Sequence, residues 1–292
     1  MVRALYSAYD GPLYQVMRAS DNHTWDIGVL SAGGYADAAA QDAFCAFTSC
    51  TVTQIYDQSP MANHLARAPA GGAAHKADRL VNATRAPLTV GGHKVYAAYF
   101  EGGMGYRVDK TRGIATGDEP ETLYMVTAGN HFNNKCCFDY GNAETNNDDT
   151  GAGSMEAVYW GNSGGWNRGA GKGPWVMADL ENGLWAGNTK VNNASIPVVA
   201  DFVTAMVIGR SGSFALKGGD AQAGKLTTMF DGSRPKGYNP MRKQGAIILG
   251  IGGDNSDWAI GTFYEGCITS GASSAATDDA VAMNIMVAGY GR

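Results

Sequence analysis

Residues 174–187 read PWVMADLENGLWAG, a short run of apolar, β-branched and aromatic residues that ends in glycine. The pattern recurs along the chain, with glycine-rich turns and little helical sequence between the runs. Such spacing is typical of a β-sandwich or barrel. The other runs are TVTQIYDQ (51–58), HKVYAAYFE (93–101), TLYMVTAG (122–129), MEAVYWG (155–161), DFVTAMVIG (201–209), GKLTTMFDG (224–232), GAIILGIGG (245–253) and GTFYEGCITSG (261–271). We therefore expect an all-β fold.

Two segments have helical composition, ADAAAQDAFCA (36–46) and DDAVAMNIMVAGY (278–290). In the second, Asp278 and Asp279 lie where negative charge favours a helix N-terminus. The sequence shows no linker, low-complexity tract or internal repeat. We expect a single β-sandwich over residues 1–292 with a few short helices.

Composition excludes several classes of partner. The net charge is −5 and the sequence pI is about 5.5, whereas nucleic acids and anionic membranes attract basic surfaces. No run of 18 apolar residues indicates a membrane span. The segment MVRALYSAYDG at the N-terminus lacks the apolar core of a signal peptide. Sequons at Asn22, Asn82 and Asn193, together with paired cysteines, nevertheless favour an oxidising compartment, so we expect an extracellular protein.

Cys136 and Cys137 are adjacent in NNKCCFDYGNAETNNDDTGAG (133–153). A bond between neighbours would close a strained ring and almost no loop, so it would add little stability. Three interpretations stay open: two buried thiols, a metal pair, or a vicinal disulfide that forms a stiff apolar surface. No Cys/His cluster at ligand spacing supports a metal, and we expect none.

Two carboxylates, Asp179 and Glu181, lie two residues apart in the opening stretch. On a strand, residues i and i+2 point to the same face, so these side chains would project side by side. An outward, solvated face is the simpler interpretation, because burying two carboxylates together costs free energy. Apolar residues on both sides of the pair favour a strand that is covered on both faces.

A third carboxylate, Asp254, follows Gly252 and Gly253 at the end of an apolar run. It could simply cap backbone amides in a turn. It could also be an acid held near Glu181, since two carboxyls about 5–5.5 Å apart are the pair that a retaining glycosidase uses.

Aromatic residues concentrate near these carboxylates. Four tryptophans, Trp160, Trp166, Trp175 and Trp185, lie within one glycine-rich stretch. Sandwich cores also use tryptophan, but aromatic faces stack on the C–H faces of sugars, which suggests a carbohydrate ligand.

Other chemistries have weaker support. The segment ETNNDDTG (144–151) lacks the calcium-binding EF-hand pattern and is more typical of a solvated loop. The five histidines have no metal-ligand spacing, and there is no G-x-S-x-G elbow or P-loop. We expect no cofactor.

Several longer segments resemble the catalytic domain of family 54 α-L-arabinofuranosidases. The resemblance covers nearly all of residues 3–290, and CCFDYGNAET and IILGIGGDNS are its most specific parts. The other segments are RALYSAYDGPLYQVMRASD, TQIYDQSPMANHL, GPWVMADLENGLWAG and GTFYEGCITSG. The resemblance implies a concanavalin-like β-sandwich (a jelly roll) and retaining hydrolysis.

The resemblance also implies roles for individual residues. Glu181 matches the nucleophile and Asp254 matches the acid/base. The implied contacts to the sugar come from Asp179, Cys136, Cys137, Trp166, Asn182 and Gly253, with the two cysteines joined as a vicinal disulfide that packs on the ring.

A second disulfide, between Cys45 and Cys50, is also implied, which leaves Cys267 unpaired. The chain departs from the family in lacking an N-terminal segment with a further cysteine pair and the C-terminal arabinose-binding trefoil domain.

We thus expect an exo-acting α-L-arabinofuranosidase, a monomer, that acts on arabinoxylan, arabinan or related oligosaccharides. Alternatives are another small-sugar glycosidase, such as a β-xylosidase or galactofuranosidase, and an inactive carbohydrate-binding sandwich. The presence of both Glu181 and Asp254 argues against the inactive sandwich.

Overall fold

The computed structural model describes residues 1–163 and 165–292. Within them, the helices are α1 (Ala38–Phe44) and α2 (Ala275–Ala288). The strands, in chain order, are β1 (Tyr14–Arg18), β2 (Thr24–Ile27), β3 (Cys50–Ile55), β4 (Leu65–Arg67), β5 (Ala86–Val90), β6 (His93–Phe100), β7 (Tyr106–Val108), β8 (Glu121–Ala128), β9 (Asp139–Ala143), β10 (Glu156–Gly161), β11 (Arg168–Gly169), β12 (Trp175–Asp179), β13 (Leu184–Trp185), β14 (Val191–Asn192), β15 (Phe202–Arg210), β16 (Ser213–Asp220), β17 (Thr227–Ser233), β18 (Ala246–Leu249) and β19 (Gly261–Ser270).

Most strands belong to two antiparallel sheets. The larger has ten strands in the order β13-β12-β10-β9-β18-β7-β4-β3-β1-β2, and the smaller has seven in the order β17-β16-β15-β8-β19-β6-β5. The strands β11 and β14 form a separate parallel pair. The sheets pack face to face, with β10 against β15 and β8, and β12 against β15 and β16. This arrangement confirms the all-β sandwich.

Strands β10 and β12 are buried on both faces. Val158, Trp160 and Val176 point into the main core between the sheets. The alternate residues, among them Tyr159 and Met177, belong to a second apolar cluster on the opposite face. Alternation along each strand thus gives the larger sheet an inner face that packs in the sandwich and an outer face that loops cover.

The sequence-based prediction of elements holds for the long runs. Each of the nine predicted runs contains at least one strand, and the run at 174–187 contains two, β12 and β13. Both helical segments form helices. The second begins at Ala275 rather than at Asp278, because the Ser274 side chain accepts a hydrogen bond from the Thr277 amide and caps the helix. Asp278 is buried in an ion pair with Lys217 at 2.6 Å.

A disulfide joins Cys45 at the end of α1 to Cys50 at the start of β3, as the family resemblance implies. The Cys267 thiol is free. In the part of the chain that the structure describes, no helix combines the length and apolar character that crossing a membrane requires.

Candidate active site

Asp179 is the last residue of β12, and Glu181 lies in the turn that follows it. Glu181 and Asn182 both have left-handed backbones, with φ of 62° and 55°. The expectation that Asp179 and Glu181 share a strand face is therefore wrong, because the strand ends between them. The turn still brings the two residues together, since the Glu181 amide donates a hydrogen bond to Asp179 Oδ1 at 3.1 Å. The residues are only 5% and 6% exposed, so the solvated-face interpretation is also wrong.

The segment after β18 folds back over the outer face of the larger sheet. This segment passes close to Glu181. If Gly253 carried a Cβ atom, that atom would lie 3.1 Å from Glu181 Oε2. A Cβ at the neighbouring Gly252 would lie 3.4 Å from Cys137 Sγ and 3.5 Å from Asp254 Oδ1. A side chain would not fit at either glycine, because its Cβ would strike Glu144 Oε2 at Gly253 and Ser256 Oγ at Gly252.

Asp254 lies on this segment and is partly exposed. Its Oδ1 accepts a hydrogen bond from the Ser256 amide at 3.0 Å, which is the turn-capping contact that the sequence suggested. Its charge also adds to burial and to the other neighbouring carboxyls in raising the pKa of Glu181, so the capping contact and a place near Glu181 are compatible.

Arg107 on β7 holds the segment in place. Its side chain is buried, and Nη1 donates to the Gly253 carbonyl at 3.0 Å while Nη2 donates to the Glu144 carbonyl. Asp109 pairs with its Nε at 2.6 Å. One guanidinium therefore ties together the loops that follow β9 and β18, through Nη1 and Nη2 of its planar fork.

Two further carboxyls, Asp139 and Glu144, are fully buried next to the predicted pair. Asp139 interacts electrostatically with Asp179, and Glu144 lies beside Glu181 at Gly253. Burial, reinforced by the neighbouring negative charge, raises the pKa of Glu181 and Asp139. Burial also raises the pKa of Asp179 and Glu144. Because two neighbouring buried carboxylates cannot both ionise at low cost, the raised pKa values favour one proton for each pair.

Cys136 and Cys137 are joined as a vicinal disulfide across a cis peptide bond. Their sulfurs face Asp179, with Cys137 Sγ 3.4 Å and Cys136 Sγ 3.9 Å from Oδ2. Cys137 is buried, whereas Cys136 is partly exposed and packs on the outer apolar cluster that contains Tyr159 and Met177. Of the three open interpretations, the structure has the disulfide. The sulfurs and Asp179 are close enough to hold a metal, but a disulfide has no thiolate to offer one.

An open cleft of about 460 Å³ adjoins the Glu181 turn. Residues at its wall include Trp166, Asn167, Arg168, Asn182, Trp185 and Lys190. Trp166 is 49% exposed, whereas Trp160 and Trp175 are core residues. Of these tryptophans, Trp166 is therefore available to a ligand, whereas Trp160 and Trp175 are not. The Asn182 carbonyl accepts a hydrogen bond from Tyr238 Oη at 2.9 Å, which holds the turn against the cleft.

The structure thus places seven of the eight predicted site residues near one another, and Trp166 lines the adjoining cleft together with Asn182. Sequence reasoning missed Arg107, Asp139 and Glu144. Asp139 and Glu144 lie in the most specific of the family-like segments, CCFDYGNAET, but nothing in their spacing signals burial. Glu144 also begins the stretch ETNNDDTG, which the sequence suggested was a solvated loop; at its first residue that interpretation is wrong.

Comparison with known proteins shows to which family the chain belongs. The family model described as "Alpha-L-arabinofuranosidase B, catalytic" matches residues 1–291. The chain belongs to this family. It is 55% identical to the probable alpha-L-arabinofuranosidase B of Aspergillus terreus, over 99% of this chain and 58% of that protein. It is 54% identical to the arabinofuranosidase/B-xylosidase of Trichoderma koningii, over 99% of this chain and 59% of that protein. The chain therefore spans less than two thirds of the length of these relatives.

Solved structures of arabinofuranosidases have the same fold as this chain. A crystal structure of an arabinofuranosidase complexed with arabinofuranosyl-alpha-1,2-xylobiose superposes with a TM-score of 0.97 at 51% identity, covering 99% of this chain and 61% of that one. A mutant GH54 a-l-arabinofuranosidase soaked with 4-nitrophenyl a-l-arabinofuranoside gives a TM-score of 0.96 at 51% identity, covering 99% and 62%. The family resemblance that the sequence suggested is confirmed.

The disulfide arrangement predicts a thiol count. Of the five cysteines, four form two disulfides, so one thiol, that of Cys267, is left. Titration of denatured, unreduced protein with a chromogenic disulfide reagent should find one thiol per chain, and five after full reduction. Protein produced under oxidising conditions that yields three thiols before reduction would contradict the vicinal bond.

Proposed function

We propose that the chain is a retaining, exo-acting α-L-arabinofuranosidase. The observation that carries the proposal is that Glu181 and Asp254 both lie beside Gly252 and Gly253, near a vicinal disulfide, in a chain of the arabinofuranosidase B catalytic family. Retaining glycosidases need two carboxyls in one site, a nucleophile and a proton donor.

In the first step, Glu181 attacks the anomeric carbon of a terminal arabinofuranosyl group. The glycosidic C–O bond breaks, and Asp254 gives its proton to the departing oxygen. In the second step, Asp254 removes a proton from water, and the water oxygen displaces Glu181 from the anomeric carbon. Two inversions give net retention, and Asp254 ends with the proton it had at the start.

The positions of the two carboxyls suit these roles. Glu181 is buried at the bottom of the site, where a nucleophile is shielded from water. Asp254 is partly exposed at the opening, where the leaving group departs and water enters. Proton exchange with solvent is possible for Asp254 and hindered for Glu181.

The remaining predicted residues form the sugar pocket. Asp179 has Oδ2 directed towards the disulfide, where it can accept a hydrogen bond from a sugar hydroxyl. The sulfurs of Cys136 and Cys137 offer a fixed apolar surface to a C–H face of the ring. Asn182 and Gly253 adjoin Glu181, and Trp166 lines the cleft through which the aglycone leaves.

The proposed substrates are arabinoxylan, arabinan and related oligosaccharides. The similar enzyme solved with arabinofuranosyl-alpha-1,2-xylobiose supports an arabinose branch on a xylose backbone. A second candidate activity, β-xylosidase, is favoured by the Trichoderma relative named arabinofuranosidase/B-xylosidase. We further propose that the chain is a monomer and forms one catalytic domain. Its disulfides are in keeping with secretion, which we also propose.

Release of 4-nitrophenol from the α-L-arabinofuranoside and from the β-xyloside tests both activities. Proton NMR of the first product anomer tests retention. Binding of arabinose without turnover of either substrate would favour an inactive carbohydrate-binding sandwich.

Glu181→Gln should lower kcat by about 10³-fold or more, because the amide cannot form the glycosyl–enzyme bond. The side chain keeps its shape, so the melting temperature should change little. The exposed Glu119→Gln is the matched control and should keep wild-type kinetics. Glu181→Gln activity within tenfold of wild type would remove Glu181 from the role of nucleophile.

Asp254→Asn should impair substrates with poor leaving groups more than aryl glycosides, because good leaving groups need little protonation. The measurement compares kcat/KM on 4-nitrophenyl arabinofuranoside and on an arabinoxylan oligosaccharide, with and without azide. Equal losses on both substrates and no azide rescue would assign Asp254 to turn capping alone.

Replacing the vicinal disulfide should weaken sugar binding more than folding. Cys136→Ser/Cys137→Ser puts rotatable hydroxyls where the sugar meets a rigid apolar surface, so kcat/KM should fall about tenfold, or about 1.4 kcal/mol. The matched control, Cys45→Ser/Cys50→Ser, opens the other disulfide and should cost about 2 kcal/mol of stability with kinetics unchanged. If replacing the vicinal pair instead lowered stability and left kcat/KM unchanged, the pair would have only a structural role in the core.

A further inference from the structure

Glu144 is a buried carboxyl in the site for which the proposed mechanism has no role. It follows β9 directly and is fully buried. Its Oε1 accepts a hydrogen bond from Ser154 Oγ at 2.5 Å. Its Oε2 is buried and, among the described residues, receives no hydrogen bond from a donor. An unpaired carboxylate oxygen in such a place would cost several kcal/mol.

The unpartnered oxygen faces the proposed nucleophile. A Cβ added to Gly253 would strike Glu144 Oε2 and would lie 3.1 Å from Glu181 Oε2, so both oxygens border the space beside this one glycine. The two carboxyl groups are therefore neighbours at this glycine, close enough to share a proton. A proton on Glu144 Oε2 would satisfy that oxygen and give Glu181 a donor.

The groups around the pair decide where the proton is placed. Asp179 and Asp254 add negative charge on the Glu181 side, and Arg107 is the cation near Glu144, so these charges favour the proton on Glu181. Against them, Glu144 Oε2 is fully buried with no other donor among the described residues, and only a proton on Glu144 satisfies it. In the free enzyme the pair holds one proton between its oxygens. When positive charge develops at the anomeric carbon, it draws negative charge to Glu181, and the proton then belongs to Glu144.

We propose that Glu144 is a positioning residue that keeps the shared proton and donates a hydrogen bond from Oε2 to the Glu181 carboxylate. The inference rests on the proposed arabinofuranosidase function. Glu144 stays protonated in both chemical steps, while Asp254 handles the proton of the leaving group and of water. The hydrogen bond fixes the orientation of the nucleophile and favours its ionised form.

The sign of the pH effect follows from the donor. The acidic limb of the pH profile is the range in which activity rises as Glu181 loses its proton. Glu144 stays neutral over that range, so it affects the pKa of Glu181 through its hydrogen bond alone. A donor to the ionised form lowers the pKa of Glu181. Removing the donor therefore raises that pKa, and activity is lost at a higher pH as the solution is acidified.

The test measures kcat/KM against pH on 4-nitrophenyl arabinofuranoside for Glu144→Ala and Glu144→Gln. The alanine variant should lose tenfold or more at the optimum and shift the acidic limb upward by about one pH unit. The glutamine amide can donate a hydrogen bond to Glu181 and cannot ionise. This variant should therefore keep at least a tenth of the wild-type kcat/KM, and its acidic limb should lie within half a pH unit of the wild-type limb. Glu119→Ala and Glu119→Gln serve as exposed controls.

Three results would overturn the inference. Folded Glu144→Gln as inactive as Glu181→Gln would mean that the reaction requires ionised Glu144. An unshifted acidic limb in Glu144→Ala would leave Glu144 with a packing role through Ser154, whatever the melting temperature. If Glu144→Ala does not fold, a loss of kcat/KM above 100-fold in soluble Glu144→Gln would overturn the inference. A wild-type enzyme inactive on the arabinofuranoside would instead refute the proposed function on which the inference rests.

Discussion

Burial of carboxyl groups against one another is the constraint on which the site depends. Asp139, Glu144, Asp179 and Glu181 are together on the outer face of the larger sheet, and none of them is more than 6% exposed. Water cannot screen their charges, so burial raises the pKa of each group and favours protons held between the pairs. A site built this way has fewer negative charges than carboxyls, and the charge it keeps can be placed on the group that reacts.

The backbone around the cluster is shaped to permit this contact. Gly141 on β9 faces Ala157 on β10, and a Cβ at Gly141 would meet the Ala157 Cα at only 2.5 Å. These small residues leave room between Asp139 and Asp179 on the flanking strands. Gly253 does the same for Glu144 and Glu181 from above. The carboxyls meet because the residues between them are small, and Arg107 anchors the covering loops through their carbonyl groups.

The vicinal disulfide completes the pocket without adding polar groups. Its sulfurs lie against Asp179 on one side and near Ser256 Oγ on the other, with Cys137 Sγ 3.7 Å from that hydroxyl. Beneath it, the outer apolar cluster with Tyr159 and Trp175 supports Cys136. The position of the disulfide therefore depends on the same strand alternation that gives β10 and β12 two buried faces.

The sequence alone determined the strands that lie in its nine apolar runs, the two helices and the family, because each depends on local pattern or on motifs that are contiguous in the chain. It also supplied Glu181, Asp254 and the cysteine pair as candidates, through the resemblance. Tertiary structure decided the rest. Glu144 and Arg107 are 37 residues apart along the chain, and only the pairing of β18 with both β7 and β9 brings their strands close. Burial, and with it the protonation of each carboxyl, is a property of what surrounds a side chain in space, which sequence spacing does not encode.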